Sequence, residues 1–353
     1  MAQPERSTPE IRVRVAGSDL PPEAMTDIKS LSVQQDVANP SSFTFELVNW
    51  NQEQMKMKWS DGDQFAAGKP VEVLMGYRDA AESVIAGEIT GMQLRISGRD
   101  TPALVVRGFD RRHRLMRGQK TRTFLQVKDS EIAQQIAGDA GLSAEATDTA
   151  VKLDYVIQHN QTDLEFLLER ARRIGYEVLV EDRKLRFRPR PIDETEKLTL
   201  DRTADLIEFT ARLTTMNQAA DCAVQAWDMK AKKPIRSRAA AGAERARMAG
   251  SNSGPSTAKG AFGASSIAMV DRPLATQAEV DQMAKARLNE MALSFITGEG
   301  ITVGNNKLRA GEVVKLAGLG TRFSGLYYVM TTHHTYSPNR GYRTAFAARR
   351  NAQ

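Results

Sequence analysis

The chain has 353 residues, of which 41% are hydrophobic and 26% charged, and carries a formal net charge of +6. That length gives two or three domains with real cores, and the composition excludes disordered, collagen-like and membrane-spanning classes, since no apolar run approaches the ~20 residues a membrane helix needs. The single cysteine, Cys222, leaves no internal disulfide framework and no multi-cysteine metal site, and fits a reducing compartment.

At the amino terminus, Met1-Ala2-Gln3-Pro4-Glu5-Arg6 lacks a basic patch followed by an apolar segment, so no secretory signal is read and synthesis is expected to end in the cytoplasm. Over residues 11–116, short alternating runs at 11–15, 43–47, 71–74, 84–89 and 104–107 are punctuated by turn residues. Period-two alternation predicts half-buried strands, and their number fits a small antiparallel sandwich or barrel. Gly68, Gly76, Gly87, Gly91 and Gly108 fall in or at the ends of these runs, where a chain turns or a strand bends.

The character changes near Thr121. Ile132, Ala133, Ile136, Ala137 and Ala140 recur at helical spacing between a cap at Asp129 and Gly141. A second helix opens at Thr162, with Glu165 as its capping-box partner, and runs through Leu164, Leu167, Leu168, Ala171 and Ile174 to Gly175. Residues 176–180 and 184–188, joined through Glu181-Asp182-Arg183, read as a hairpin, which makes this region a small α+β unit. Strands return from Leu198, most clearly at 206–209 and 223–227. A stretch dominated by Ala, Gly and Ser follows at about 239–265 and is expected to be a mobile insertion, and a helix is expected over about 277–293. Four strand-like runs close the chain, at 295–303, 312–316, 326–331 and 342–346. One internal echo links its halves: Gly68 leads to Val71, Val73 and Gly76-Tyr77, and Gly311 leads to Val313, Val314, Leu316 and Gly318, as a duplicated barrel would.

The net charge is local. Lys230, Lys232, Lys233, Arg236, Arg238, Arg245 and Arg247 are opposed only by Glu244, and the rest of the chain balances. A duplex-binding protein spreads cations along a face; one loop-like stretch without interleaved aromatics reads as solvated charge, so no nucleic-acid partner is expected. Residues 62–69 have the wrong spacing for a phosphate-cradling loop and lead into a strand, and Gly318-Leu319-Gly320 lacks the third glycine of a dinucleotide fingerprint. His113, His159, His333 and His334 show no ligand spacing, and the adjacent pair would point to opposite faces of a strand. Cys222 reads as a small buried hydrophobe, and Glu165 and Glu169 beside Arg170, Arg172 and Arg173 as an ionic helix face. No catalytic, cofactor-binding or metal-binding residue is assigned.

Taken in order, several motifs match a known family. Phe65, Gly68, Val71, Val73, Gly76-Tyr77, Gly87-Glu88-Ile89-Thr90-Gly91 and Val106-Arg107-Gly108-Phe109-Asp110 with Leu115 resemble the phage late control gene D family. The block Gln158-His159-Asn160-Gln161-Thr162-Asp163-Leu164-Glu165-Phe166-Leu167, with Arg170, Ala171 and Gly175-Tyr176-Glu177, is similar to that family and to the VgrG hubs of type VI secretion. The closing residues Gly311, Phe323-Ser324-Gly325, Tyr327-Tyr328-Val329, His334-Thr335-Tyr336 and Gly341-Tyr342-Arg343-Thr344 resemble its last barrel.

The resemblance implies a mainly β fold with an α+β insert. A first tail-tube-like antiparallel β-barrel would occupy residues 1–117, the α+β domain 118–197, and a second barrel 198–353. It implies a non-enzymatic baseplate hub of a phage tail, tailocin or contractile injection system, made in the bacterial cytoplasm and carried in a particle that is released. Such a hub is a homotrimer whose partners are the tail tube protein, a spike and other baseplate proteins; it inserts in no membrane and needs no cofactor. VgrG-type hubs continue into a β-helical needle, whereas this sequence stops at Gln353, so a separate spike protein is expected. The rival readings are a cell-wall-cleaving tail enzyme, which needs paired acids or a nucleophile with a base, and a monomeric small-molecule-binding barrel.

Overall fold

In the computed structural model, residues 8–77, 80–229, 231–270 and 274–353 are described; the amino-terminal hexapeptide and Lys230 of the basic stretch lie outside them. Alternation makes six strands of the first part of the chain: Pro9–Val15, Ile28–Asp36, Ser42–Val48, Pro70–Tyr77, Glu82–Arg95 and Ala103–Asp110. Each sends every second side chain into one core that contains Phe43, Phe45, Leu47, Phe65, Val73 and Met75. Counted in chain order, these strands lie side by side as 1-4-5-6-3-2.

Six strands of the last part do the same. Leu198–Asp201, Leu206–Leu213, Ile296–Val303, Val313–Ala317, Gly325–Ser337 and Gly341–Arg350 also lie in the order 1-4-5-6-3-2, around a core that contains Phe295, Ile296, Leu316, Tyr327 and Phe346. The irregularities repeat too. The fifth strand bulges against the sixth between Ile89 and Gly91 in the first barrel and between Val329 and Thr331 in the second. The second strand bulges against the third between Ile28 and Ser30, and again between Leu206 and Glu208. Two pairings differ: the first strand meets the fourth antiparallel in the first barrel and parallel in the second, and the fourth strand shifts register against the fifth between Val73 and Leu74 in the first barrel alone. The fold is thus mainly β, with two barrels of one strand order that are antiparallel apart from that one parallel pair, and the glycine echo marks their fourth strands.

Between them, Lys120–Lys128 pairs with Lys152–Gln161, and Ser143–Ala146, Lys184–Pro189 and Tyr176–Glu181 form a three-stranded sheet. The helices Asp129–Asp139 and Asp163–Ile174 cover them, burying Ile132, Ile136, Phe166 and Leu167 with Phe124, Val178 and Phe187. Thr162 caps the second helix as expected: its hydroxyl accepts the Glu165 N–H at 3.2 Å, its own N–H donates to Glu165 at 2.8 Å, and Gly175 ends the helix at φ 72°. The first helix starts differently from expectation. Lys128 holds the N-cap position, with its N–H on Glu131 at 2.8 Å, and Asp129 is the first helical residue, its buried carboxylate paired with Arg170 at 2.6 Å.

The residues between the second and third strands of the later barrel form an addition with its own core. Asp221–Asp228, Lys233–Ala240 and Ser266–Met269 make a small sheet, one face of which packs Cys222, Val224 and Ile235 against Val280 and Leu288 of the helix Gln277–Leu293. The run 223–227, read as a barrel strand, therefore belongs to this addition, because a helix and not the barrel covers its apolar face. The stretch at about 239–265, expected to be mobile, is given regular structure. It holds the helix Gly254–Phe262, and Met248 is 2% exposed. Backbone bonds replace apolar bulk here: Ser251 and Asn252 donate to the Gln353 carbonyl at 2.8 and 3.1 Å, Ser253 bridges Ala352, and the Asn351 side chain donates to the Ala246 carbonyl at 2.5 Å.

Loss of one such buried bond costs about 1–2 kcal/mol, an increase in local opening of roughly 5–30-fold. Asn351→Ala is therefore expected to speed trypsin cleavage at Arg245 and Arg247 by about tenfold within that range while the global melting temperature falls only slightly. A cleavage rate equal to that of the unaltered protein would mean that the Asn351 contact does not hold this loop.

Candidate functional site: the seam between the barrels

Gly325–Ser337 is a strand with two partners along one edge. Its other edge pairs over residues 328–337 with Gly341–Arg350, but on the first edge residues 325–328 pair with Val313–Ala317 and residues 331–336 pair with Ile28–Asp36 of the first barrel. The bulge at Met330 separates the two regimes, and the Val37 N–H donates to the Met330 carbonyl at 3.1 Å where the partner changes. Thr331-Thr332-His333-His334-Thr335-Tyr336 is rich in β-branched and aromatic residues suited to this extended run. The pairing fuses both barrels into one sheet, in which the short strand Ser18–Asp19 beside Pro9–Val15 joins the twelve barrel strands as a thirteenth.

Buried polar side chains fix the seam. Gln35 donates to the Val84 carbonyl at 2.7 Å and accepts from the Ala310 N–H and the Thr332 hydroxyl, both at 3.0 Å, so one amide ties four elements. Asn306 donates to the Met75 and Ala80 carbonyls, each at 2.9 Å, and Arg309 donates to the Ser83 carbonyl. Gly304 lets this loop pass flat against the Tyr342 ring, where a Cβ would collide with the ring atoms. His334 is fully buried; its Nδ1 meets the Tyr342 hydroxyl at 2.9 Å and the Thr344 hydroxyl at 3.1 Å. Burial, with the charge of Arg309 and the neighbouring His333, pushes its pKa down to about 3.

A second set of charges clamps the middle unit onto this seam. Arg112 is 2% exposed and donates to Asp110 at 3.0 Å and to the Asp36 carbonyl at 2.8 Å, both at ends of first-barrel strands, and to the Val178 carbonyl of the middle unit at 3.4 Å. Glu88 receives Arg111 at 3.2 Å, His113 at 2.9 Å and Arg114. Desolvation alone would raise its pKa, but the hydrogen bonds of Arg114 and His113 and the charges of Arg114 and Arg111 outweigh it and hold the carboxyl down at about 2. Glu177 receives Arg188 at 2.9 Å and the Tyr328 hydroxyl; burial pushes this carboxyl up, against the pull of those two partners. A cleft of about 640 Å³ beside these groups is lined by both signs of charge, including Arg14, Asp36, Glu72 and Arg309.

The two faces of the fused sheet differ. One packs on the barrel cores; the other carries short polar and small side chains across the seam, such as Ser32, Gln34, Thr331, Thr335, Ala345 and Ala347, none of them buried. Part of it forms a shallow trough of about 520 Å³ that includes Glu208, Glu299 and His333. His333 and His334 point to opposite faces, as adjacent strand residues must, His159 is exposed on the ribbon and His113 serves Glu88. Burial raises the Cys222 thiol pKa. Among the described residues no cluster of His, Cys, Asp and Glu could hold a metal ion, and no helix is long and apolar enough to cross a membrane. Gln35 and Arg112 escape the sequence reading, and His334 enters it only as a candidate metal ligand and as part of the closing motif. Gln35 and His334 are polar residues at strand positions where alternation calls for an apolar one, a signal that marks an interior hydrogen-bond node, whereas Arg112 sits in the short helical turn 111–116 and gives no such signal.

Because His334 is held neutral in the folded state, its contribution to stability is fully present above pH 6.5 and is lost as pH falls below that value toward 3. At ~1.4 kcal/mol per pH unit, the loss from this group between pH 7 and pH 5 is about 2 kcal/mol. Replacing His334 with Gln is expected to lower stability at pH 7 but to flatten the pH dependence by that amount, read as the difference between the two proteins in urea unfolding. Parallel pH profiles would refute the buried neutral imidazole.

Several solved structures share this fold. The fold matches the 43 kDa tail protein of prophage MuSo2 from Shewanella oneidensis with a TM-score of 0.72 at 12% identity, covering 97% of this chain and 98% of that one. It matches the tail protein from Neisseria meningitidis MC58 with a TM-score of 0.69 at 14% identity, over 97% and 96% of the two chains. A component of the E. coli type VI secretion system, described as similar to the T4 bacteriophage tail proteins gp27 and gp5, matches with a TM-score of 0.59 at 12% identity, over 97% of this chain and 77% of that one. The fold is therefore the one found in phage tail and type VI secretion proteins, as the motifs led one to expect. No curated protein matches by sequence. The family model described as the Alg8 N-terminal domain matches residues 5–337, and the chain belongs to that family.

Proposed function

We propose that the protein is a structural hub of a contractile tail or injection particle, akin to the late control gene D and VgrG hubs, assembled as a homotrimer between a sixfold tube and a threefold spike. The observation that carries this reading is the fused pair of barrels. One chain repeats the same six-stranded topology twice and joins the copies edge to edge through the seam. Three such chains supply six near-equivalent barrels, so a threefold assembly offers a sixfold partner a matching ring. The uncovered face of the sheet, with its small and short polar side chains, suits the lining of a bore through which cargo slides without sticking. The buried charged groups Arg112, Glu88 and Glu177 serve as ties between parts of the chain, which favours a scaffold over a cell-wall-cleaving enzyme.

Light scattering of the purified protein is expected to give three copies, and electron microscopy of the particle a threefold ring between tube and spike. A stable monomer that ignores both tube and spike proteins would overturn the proposal. Incubation with cell-wall sacculi is expected to release no soluble muropeptides; release that depends on a carboxylate of this chain would favour the enzyme instead.

A further inference from the structure

The duplicated topology leaves one copy of the seam unmade. In the second barrel, the fifth strand runs past its bulge at Met330 and pairs residues 331–336 with the second strand of the first barrel. In the first barrel, the fifth strand likewise runs past its bulge at Thr90, but beyond it residues 91–95 pair only with Ala103–Asp110; among the described residues their other edge has no strand partner. The second strand of the second barrel, Leu206–Leu213, is equally open and among the described residues pairs only with Ile296–Val303. Each free edge is the structural equivalent of one side of the seam that is filled within the chain.

We infer that the ring closes by strand pairing between copies, with residues 91–96 of one chain lying antiparallel against 209–214 of the next. Superposing the bulges fixes the register. Met330 corresponds to Thr90, and Lys29, the extra residue of the second strand, corresponds to Ile207. Tyr336 opposite Leu31, His334 opposite Val33 and Thr332 opposite Gln35 in the existing seam then become Ile96 opposite Phe209, Leu94 opposite Ala211 and Met92 opposite Leu213.

Exposure agrees with that assignment. His334 and Thr332 are 0% and 1% exposed, whereas their counterparts Leu94 and Met92 are 47% and 44% exposed, and Ile96 is 68% exposed. These three pairs are all apolar, and each of their side chains comes from the face that alternation directs toward a core. The edge also lacks the lysine or proline with which soluble proteins discourage pairing, and the charge of Arg95 is drawn aside onto Glu46 at 2.9 Å. The contact joins two different surfaces, so it is heterologous, and repetition with the right rotation closes a ring. A second copy is the occupant because the structure already contains this same pairing between its two barrels.

The inference rests on the trimeric reading, and the test separates the two. In the existing seam His333 faces Gln34 on the uncovered side of the sheet, which makes Gln93 and Arg212 the corresponding pair between copies. The double variant Gln93→Cys, Arg212→Cys is expected, on oxidation, to yield covalent dimers and trimers on a denaturing gel. Arg95→Cys with Arg212→Cys, two residues out of register, should yield at least tenfold less. Both variants are checked by light scattering before oxidation. Trimers that cross-link out of register or not at all would overturn the inference and leave the hub reading standing. Monomers in solution for both variants and for the unaltered protein would overturn both.

Discussion

The pairing of residues 331–336 with 31–36 is the contact on which the rest of the architecture depends. It joins segments about 300 residues apart, so it restricts the chain more than any pairing of neighbouring strands does. Backbone hydrogen bonds alone would not fix its register, because a slip of one residue would turn His334 and Thr332 out to solvent. The buried amide of Gln35, held to Val84, Ala310 and Thr332, and the Met330 bulge fix it instead. A bulge is needed because one strand must leave the curvature of its own barrel and enter that of the other.

The middle unit is held to the barrels mainly by charge. Arg112 is the clearest case: its single guanidinium bonds Asp110 at the end of the first barrel, the Asp36 carbonyl beside the seam and the Val178 carbonyl of the middle sheet. A buried ionic tie of this sort adds little net stability, because its desolvation cost offsets its attraction, but it tolerates few alternative geometries. A small apolar patch that includes Val37, Leu179, Ile192, Val313 and Tyr328 supplies the burial there. Three units thus meet with one relative placement around the start of the shared strand.

The sequence made the local structure legible. Alternation at 11–15, 43–47 and 104–107 showed strands because one face of each lies in a core, and Thr162 with Glu165 announced a helix start because capping is a matter of four consecutive residues. The glycine echo at Gly68 and Gly311 pointed to duplication. What stayed hidden is non-local. No pattern within 325–337 tells that a strand changes partner halfway along, since both partners ask for the same alternation. Residues 223–227 alternate as a barrel strand would, and only the helix Gln277–Leu293 laid over Cys222 and Val224 assigns them elsewhere. The stretch at about 239–265 lacks apolar bulk, and composition cannot see that the backbone of 251–254 finds its partners in residues 351–353.

The two barrels differ where their roles in the seam differ, and the difference follows from how each contact is made. Within the chain, a covalent connection supplies the partner at high effective concentration, so the seam can be built from Thr332, Gln35 and His334, which contribute register more than burial. A seam between copies has no such help and must overcome the loss of translational and rotational freedom, which takes apolar burial. Met92, Leu94 and Ile96 stand at the positions equivalent to Thr332, His334 and Tyr336, with Leu213, Ala211 and Phe209 at those equivalent to Gln35, Val33 and Leu31. The substitution of apolar for polar side chains at matching positions of a duplicated fold is what a contact between chains demands and a contact within one does not.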